Sequence, residues 1–99
     1  DINNKELNMS IKAIMSLEVE DFEKFFNVFS GPDARKARDE AGIKSKVHKN
    51  VDNPNNVILI SEVCCKEVIT EFMTTPAQKE RMKNAGVSSP PTITWIESI

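Results

Sequence analysis

Apolar and polar residues alternate along this chain with two different periods, and the switches between them mark out the elements. Over residues 11–19 the period is two: Ile11, Ala13, Met15, Leu17 and Val19 fall on one side, with Lys12, Ser16 and Glu18 on the other. That pattern predicts a strand. Asp21 is placed to cap a helix, and Phe22, Phe25, Phe26 and Phe29 follow at the spacing of one helix face. Gly31 and Pro32 then interrupt it. Proline costs about 3 kcal/mol inside a helix but suits its first position, so a second helical segment is expected to begin there. Ala34, Ala37, Arg38 and Ala41 carry that segment on, and Gly42 fits the left-handed position past its end. Residues 43–51 read as the second strand, with Ile43, Val47 and Val51 alternating against Lys44, Lys46 and His48.

Asp52, Asn53, Pro54, Asn55 and Asn56 form a turn-rich run that suits a hairpin loop. The plan then repeats. Residues 57–63 predict a strand, and Val68, Ile69, Phe72 and Met73 predict a helix. Thr75, Pro76 and Gln78 have the spacing of an N-cap, a first-turn proline and a capping-box partner. Gly86 ends that segment, Ser88 to Pro91 link onward, and residues 92–96 make the last strand. Sliding the chain 44 positions along itself lays Glu18-Val19 on Glu62-Val63, Pro32 on Pro76, and Ala41-Gly42 on Ala85-Gly86. The matches fall where helices start and stop, so the halves are expected to share one structure. The resulting order is βαββαβ. This is an α+β, ferredoxin-like domain: a four-stranded antiparallel sheet with two helices, each interrupted at a proline, on one face.

Helices on one side leave the other side of the sheet bare. Ile14, Ile58, Ile60 and Ile96 are out of phase with the helix-facing stripe and belong to that bare side. Leaving such side chains in water forfeits roughly 1.5–3 kcal/mol each. A second copy laid over this face is the simplest cover, so a homodimer through the open sheet face is expected.

Composition narrows the functional field. Ninety-nine residues suffice for one domain. We expect residues 1–8 to be a loose polar tail, with the domain over 9–99; Met9 could mark the natural start. The net charge is −2, from 13 Lys+Arg and 15 Asp+Glu, without the basic surplus that nucleic-acid binding favours. Open-face aromatics of the RNA-binding kind are also missing from the pattern. The longest apolar run is Val57 to Ile60, far short of the roughly 20 residues of a membrane span. A single His, no Tyr and only two Cys leave no His-pair metal spacing and no disulfide framework. Three glycines and no phosphate-loop motif argue against a nucleotide cradle. No cofactor is expected. Cys64 and Cys65 are neighbours, too close for ordinary disulfide geometry, and two free thiols suit a reducing cytoplasm.

The run from Ala41-Gly42-Ile43, through Asp52-Asn53-Pro54-Asn55, to Val57-Ile58-Leu59-Ile60-Ser61-Glu62 and Thr75-Pro76 resembles the antibiotic biosynthesis monooxygenase-like family of dimeric α+β barrels. With the repeat, the resemblance covers about 90 residues. It implies sheet-to-sheet dimers, and a small organic ligand held between sheet and helices or within the barrel. Activities in the family include cofactor-free oxygenases, haem degraders and isomerases. The Asn, Trp and His that haem-degrading members use have no counterparts on the first strand, at Val63, or at Phe72 and Met73.

His48 is the one side chain that titrates near neutrality unaided. With Lys46 on the same strand face it could serve as a general base beside a cation that stabilises an enolate. The plainer alternative is an exposed residue beside a loop. Glu18 and Glu62 are equivalent under the repeat and sit on neighbouring central strands, so they could approach as an acid–base pair; alternatively both are solvated. Ser16, Lys46 and Trp95 are candidate ligand contacts, with core packing the alternative for Trp95. Cys64 and Cys65 open a helix whose dipole would lower a thiol pKa, but a nucleophile would lack a second His as base. Two functions follow. One is a small-molecule-binding protein, conceivably a cofactor-free monooxygenase- or isomerase-like enzyme, which requires a pocket of a few hundred Å³ reached by His48, Glu18 or Glu62. The other is a non-catalytic dimeric module with a filled barrel.

Overall fold

Ala13, Met15 and Leu17 are buried on strand β1 (Ile11–Glu18), as the alternation requires, while the residues between them face the other way. The computed structural model describes residues 11–99, so the expected tail over 1–8 and the domain's first residues lie outside the described residues. After β1 come helix α1 (Phe22–Phe29), helix α2 (Pro32–Ala41), strand β2 (Lys44–Lys49), strand β3 (Asn56–Val63), helix α3 (Lys66–Thr74), helix α4 (Pro76–Asn84) and strand β4 (Thr92–Glu97). The strands form one sheet in the order β2-β3-β1-β4, with every neighbouring pair antiparallel. This is the ferredoxin-like plan, with each helix divided at its proline.

Local chemistry sets the boundaries. Asp21 Oδ2 accepts from the Lys24 amide at 3.1 Å and caps α1. Pro32 starts α2, and Gly42 ends it at φ 78°. Gly86 takes the matching conformation at φ 77° after α4. Thr75 ends α3 and caps α4, its hydroxyl accepting from the Gln78 amide at 3.2 Å. The expected capping box is only half made, because the Gln78 carbonyl oxygen accepts from Arg81 Nε at 3.0 Å. β2 stops two residues before the expected Val51: the Asn50 side chain accepts from the Asp52 amide at 2.9 Å and folds the chain into a turn. Val19 leaves β1 but still bridges to Val87.

One face of the sheet and the inner sides of the helices make the core. Ala13, Met15, Leu17, Val57, Leu59 and Val63 pack there with Phe25, Ile69 and Ala85. The phenylalanine stripe is narrower than its spacing suggests. Phe25 is buried and Phe22 and Phe29 are half-buried, but Phe26 is 40% exposed and stacks on Phe22 at 5.9 Å.

The opposite face carries no helix, and its register is explicit. Lys46, Ile60, Ile14 and Thr94 form one row across the four strands; His48, Ile58, Ser16 and Thr92 form the next. A third row holds Lys44, Glu62, Lys12 and Ile96. Ile14, Ile58 and Ile60 are half-buried by their neighbours, and Ile96 is 42% exposed.

Candidate functional site

Five of the six candidates named from the sequence share the uncovered face: Ser16, Glu18, Lys46, His48 and Glu62. The sheet does not bring the two carboxylates together. Glu18 pairs with Asn56 at one end of β1, and Glu62 pairs with Lys12 at the other. The antiparallel register therefore separates them by most of the strand length, and the expected acid–base pair is not formed. Ser16 and Glu18 instead converge on Asn56, whose Nδ2 donates to Ser16 Oγ at 3.0 Å, Leu17 O at 3.1 Å and Glu18 Oε2 at 3.0 Å. Asn56 is buried, and its Oδ1 accepts from Asn50 Nδ2 at 2.9 Å. His48 is exposed, with Nδ1 3.3 Å from the Ile58 carbonyl. A carbonyl only accepts, so in this contact Nδ1 is the donor.

Trp95 lies on the helix-facing side, opposite Ala13, with Lys66 Nζ 5.7 Å above its ring. It packs against the core and does not border the cavity described next.

That cavity, of about 70 Å³, lies between sheet and helices. At roughly 10–15 Å³ per water it holds about five waters, far less than the few hundred Å³ that the ligand-binding expectation required. Its walls are mainly apolar: Met15, Leu59, Ile69, Phe72, Met73 and others. None of His48, Glu18 and Glu62 reaches it. Its polar members are Ser45, Ser61, Gln78, Arg38 and Arg81. Ser61 is fully buried, and its hydroxyl lies 2.7 Å from that of Ser45 on the neighbouring strand. Arg81 is held by Asp33 at 3.1 Å and by Gln78. Arg38 lies against Phe29, its guanidinium carbon 3.8 Å from the ring centre. Burial lowers the Arg38 pKa; Asp39 opposes that shift, and Arg35 and Arg81 add to it.

The sequence did carry a signal for these residues. Ser45 and Ser61 stand in the buried phase of their strands, between Ile43 and Val47 and between Leu59 and Val63. Arg38 falls within the alanine-lined stretch of α2. Each is a polar residue in an apolar phase.

Cys64 and Cys65 are both half-buried free thiols. The expectation of a lowered thiol pKa fails at Cys65. Its backbone is extended at the N-cap of α3, and the neighbouring Cys64 thiol raises its pKa above the ordinary thiol value, helped by burial.

No protein-family model matches the sequence, and no curated protein matches it. Solved structures do. A monooxygenase from Streptomyces coelicolor, solved in complex with nanaomycin D, superposes with a TM-score of 0.69 at 12% identity, covering 97% of this chain and 93% of that one. A protein from Bordetella bronchiseptica that bears the antibiotic biosynthesis monooxygenase name gives 0.68 at 16% identity, over 90% and 96% of the chains. The fold is that of the antibiotic biosynthesis monooxygenase-like proteins. A conserved protein from Methanosarcina mazei Go1 gives 0.68 at 15% identity, over 96% and 99%. At such identities the likeness carries the fold alone. Among the described residues, no helix is long and apolar enough to cross a membrane.

Proposed function

We propose that this protein binds a small organic molecule in the cavity between sheet and helices, as a homodimer closed over the open sheet face. The observation that carries the reading is that Ser45, Ser61, Gln78, Arg38 and Arg81 all line an otherwise apolar cavity. An apolar lining with a few oriented polar groups is the general form of a ligand site. The fold likeness to a monooxygenase solved with a bound organic ligand points the same way. Within this proposal, any cofactor-free monooxygenase- or isomerase-like step needs a base from outside the cavity, whose lining includes no His, Asp or Glu. His48 on the open face, with Lys46 two residues along its strand and Ser16 in its own row, is the candidate that dimerisation would enclose; Glu18 and Glu62 lie in other rows. We place the protein in the cytoplasm on its unpaired thiols.

The cavity's small volume favours a second reading, a non-catalytic dimeric module with a filled interior. A fragment screen by amide NMR separates the two. On the first reading, small aromatic compounds shift the amides of Leu59, Ser61, Ile69 and Met73 together. A screen in which no compound moves these amides leaves the filled module standing.

A further inference from the structure

Arg38 is the one cavity arginine without a tether. Among the described residues no carboxylate lies within salt-bridge distance of it, and its side chain makes no hydrogen bond. Arg81, by contrast, is held on two sides. Every buried side-chain nitrogen and oxygen among the described residues has a partner, so the unbonded donors of Arg38 are open to solvent, and Arg38 itself lines the cavity. Asp39, its exposed chain neighbour, forms no salt bridge with it. Arg35 and Arg81 add positive charge nearby. The Phe29 ring, 3.8 Å from the guanidinium carbon, helps to hold the group in place. A planar fork with free donors matches a carboxylate, which can accept two parallel hydrogen bonds from it. In the same lining, the Ser45–Ser61 pair uses one hydroxyl hydrogen internally, which leaves the other available to a ligand.

We propose that the ligand is a small aromatic carboxylate, its anionic end paired with Arg38 and its ring among Met15, Leu59, Phe72 and Met73. This inference rests on the cavity being the ligand site. The size of the cavity restricts the ring system to about one ring. A neutral carbonyl can accept one bond from Arg38, but only an anion accepts two charge-assisted ones, so charge is the property that selects.

The test titrates the intact chain with benzoate and with its neutral isostere benzamide at low salt, read by amide NMR. Benzoate is expected to shift the amides around Arg38, Ser45 and Leu59 and to bind at least about tenfold more tightly than benzamide. Arg38→Gln should abolish that preference while leaving benzamide binding intact. Arg38→Lys, which keeps the charge but loses the fork, should retain only part of it. Arg35→Gln, an exposed change outside the cavity lining, should leave benzoate preferred. Equal binding of both compounds would sink the anion inference and keep the cavity reading. An unchanged preference in a folded Arg38→Gln protein would also overturn it. If neither compound moves the cavity amides, the cavity reading falls and this inference with it.

Discussion

Asn56 makes four side-chain hydrogen bonds within the sheet and its loop. It is buried, and its amide group joins β1, β3 and the loop before β3 through Ser16, Leu17, Glu18 and Asn50. Truncation removes all four of these bonds at a buried position and leaves Asn50 Nδ2 without its acceptor, which costs about 1–3 kcal/mol. Asn56→Ala should therefore lower the urea midpoint without changing the slope, whereas Asn56→Asp, which adds a second negative charge beside Glu18, should be worse. An Asn56→Ala protein as stable as the parent would refute this role. Composition could not distinguish Asn56 from the turn residues before it, because Asn suits a loop and a buried bridge equally well; only the pairing with Glu18 reveals which it is. Cys65 makes a second prediction at this scale. Alkylation needs the thiolate, and a raised pKa shrinks the thiolate fraction at neutral pH. Cys65 should thus alkylate slowly near pH 7, its rate climbing only above the pH at which a free thiol is already ionised. Cys64→Ala removes the neighbouring thiol and should move that rise to lower pH, as read by mass spectrometry across a pH series.

At the scale of elements the 44-residue repeat explains both what was legible and what was not. Equivalent positions share their conformation: Pro32 and Pro76 both open helices, and Gly42 and Gly86 both take positive φ. A side chain in the left-handed region costs about 1–2 kcal/mol. Gly42→Ala and Gly86→Ala should each destabilise by about that much in urea unfolding. A Cβ at Gly42 meets nothing within 4 Å, so its penalty is purely conformational, while one at Gly86 approaches Glu20 Oε1 at 3.3 Å. Glu20 is exposed and can swing away, so the two penalties should be similar. Equivalence does not mean proximity, however. Met15 pairs directly with its equivalent Leu59, so the pseudo-two-fold axis between the halves passes there. Because β1 and β3 run in opposite directions, equivalents diverge with distance from that point. Glu18 and Glu62, beyond it in opposite directions, end roughly 20 Å apart at about 3.4 Å per residue. The repeat was readable from one sequence; the position of its axis, which decides who meets whom, was not.

For the whole molecule the open sheet face is the unsettled surface. Ile14, Ile58 and Ile60 are half-covered by their sheet neighbours, so each has less to gain from a partner than a fully exposed isoleucine, about 1 kcal/mol or a little more instead of the full 1.5–3. Ile96 is more open and gains more. The row of Lys44, Glu62 and Lys12 adds both charge signs at one end of the patch, which lets a second copy pair across it with opposite charges. On these terms the wild-type chain should scatter light as a particle of about 22 kDa, twice its 11.1 kDa mass, and its melting temperature should rise with concentration. Ile60→Lys puts an ammonium into the middle row, beside Lys46 and Ile14. In an isolated subunit that position is only partly covered, so the variant should keep its amide dispersion and lose less than about 2 kcal/mol. In a dimer the same charge would be buried against its symmetry mate, and association should weaken by at least a hundredfold. A folded Ile60→Lys protein that still weighs about 22 kDa would place the interface elsewhere. It would also leave His48 and Lys46 in open solvent, with no enclosed space in which to act on a substrate.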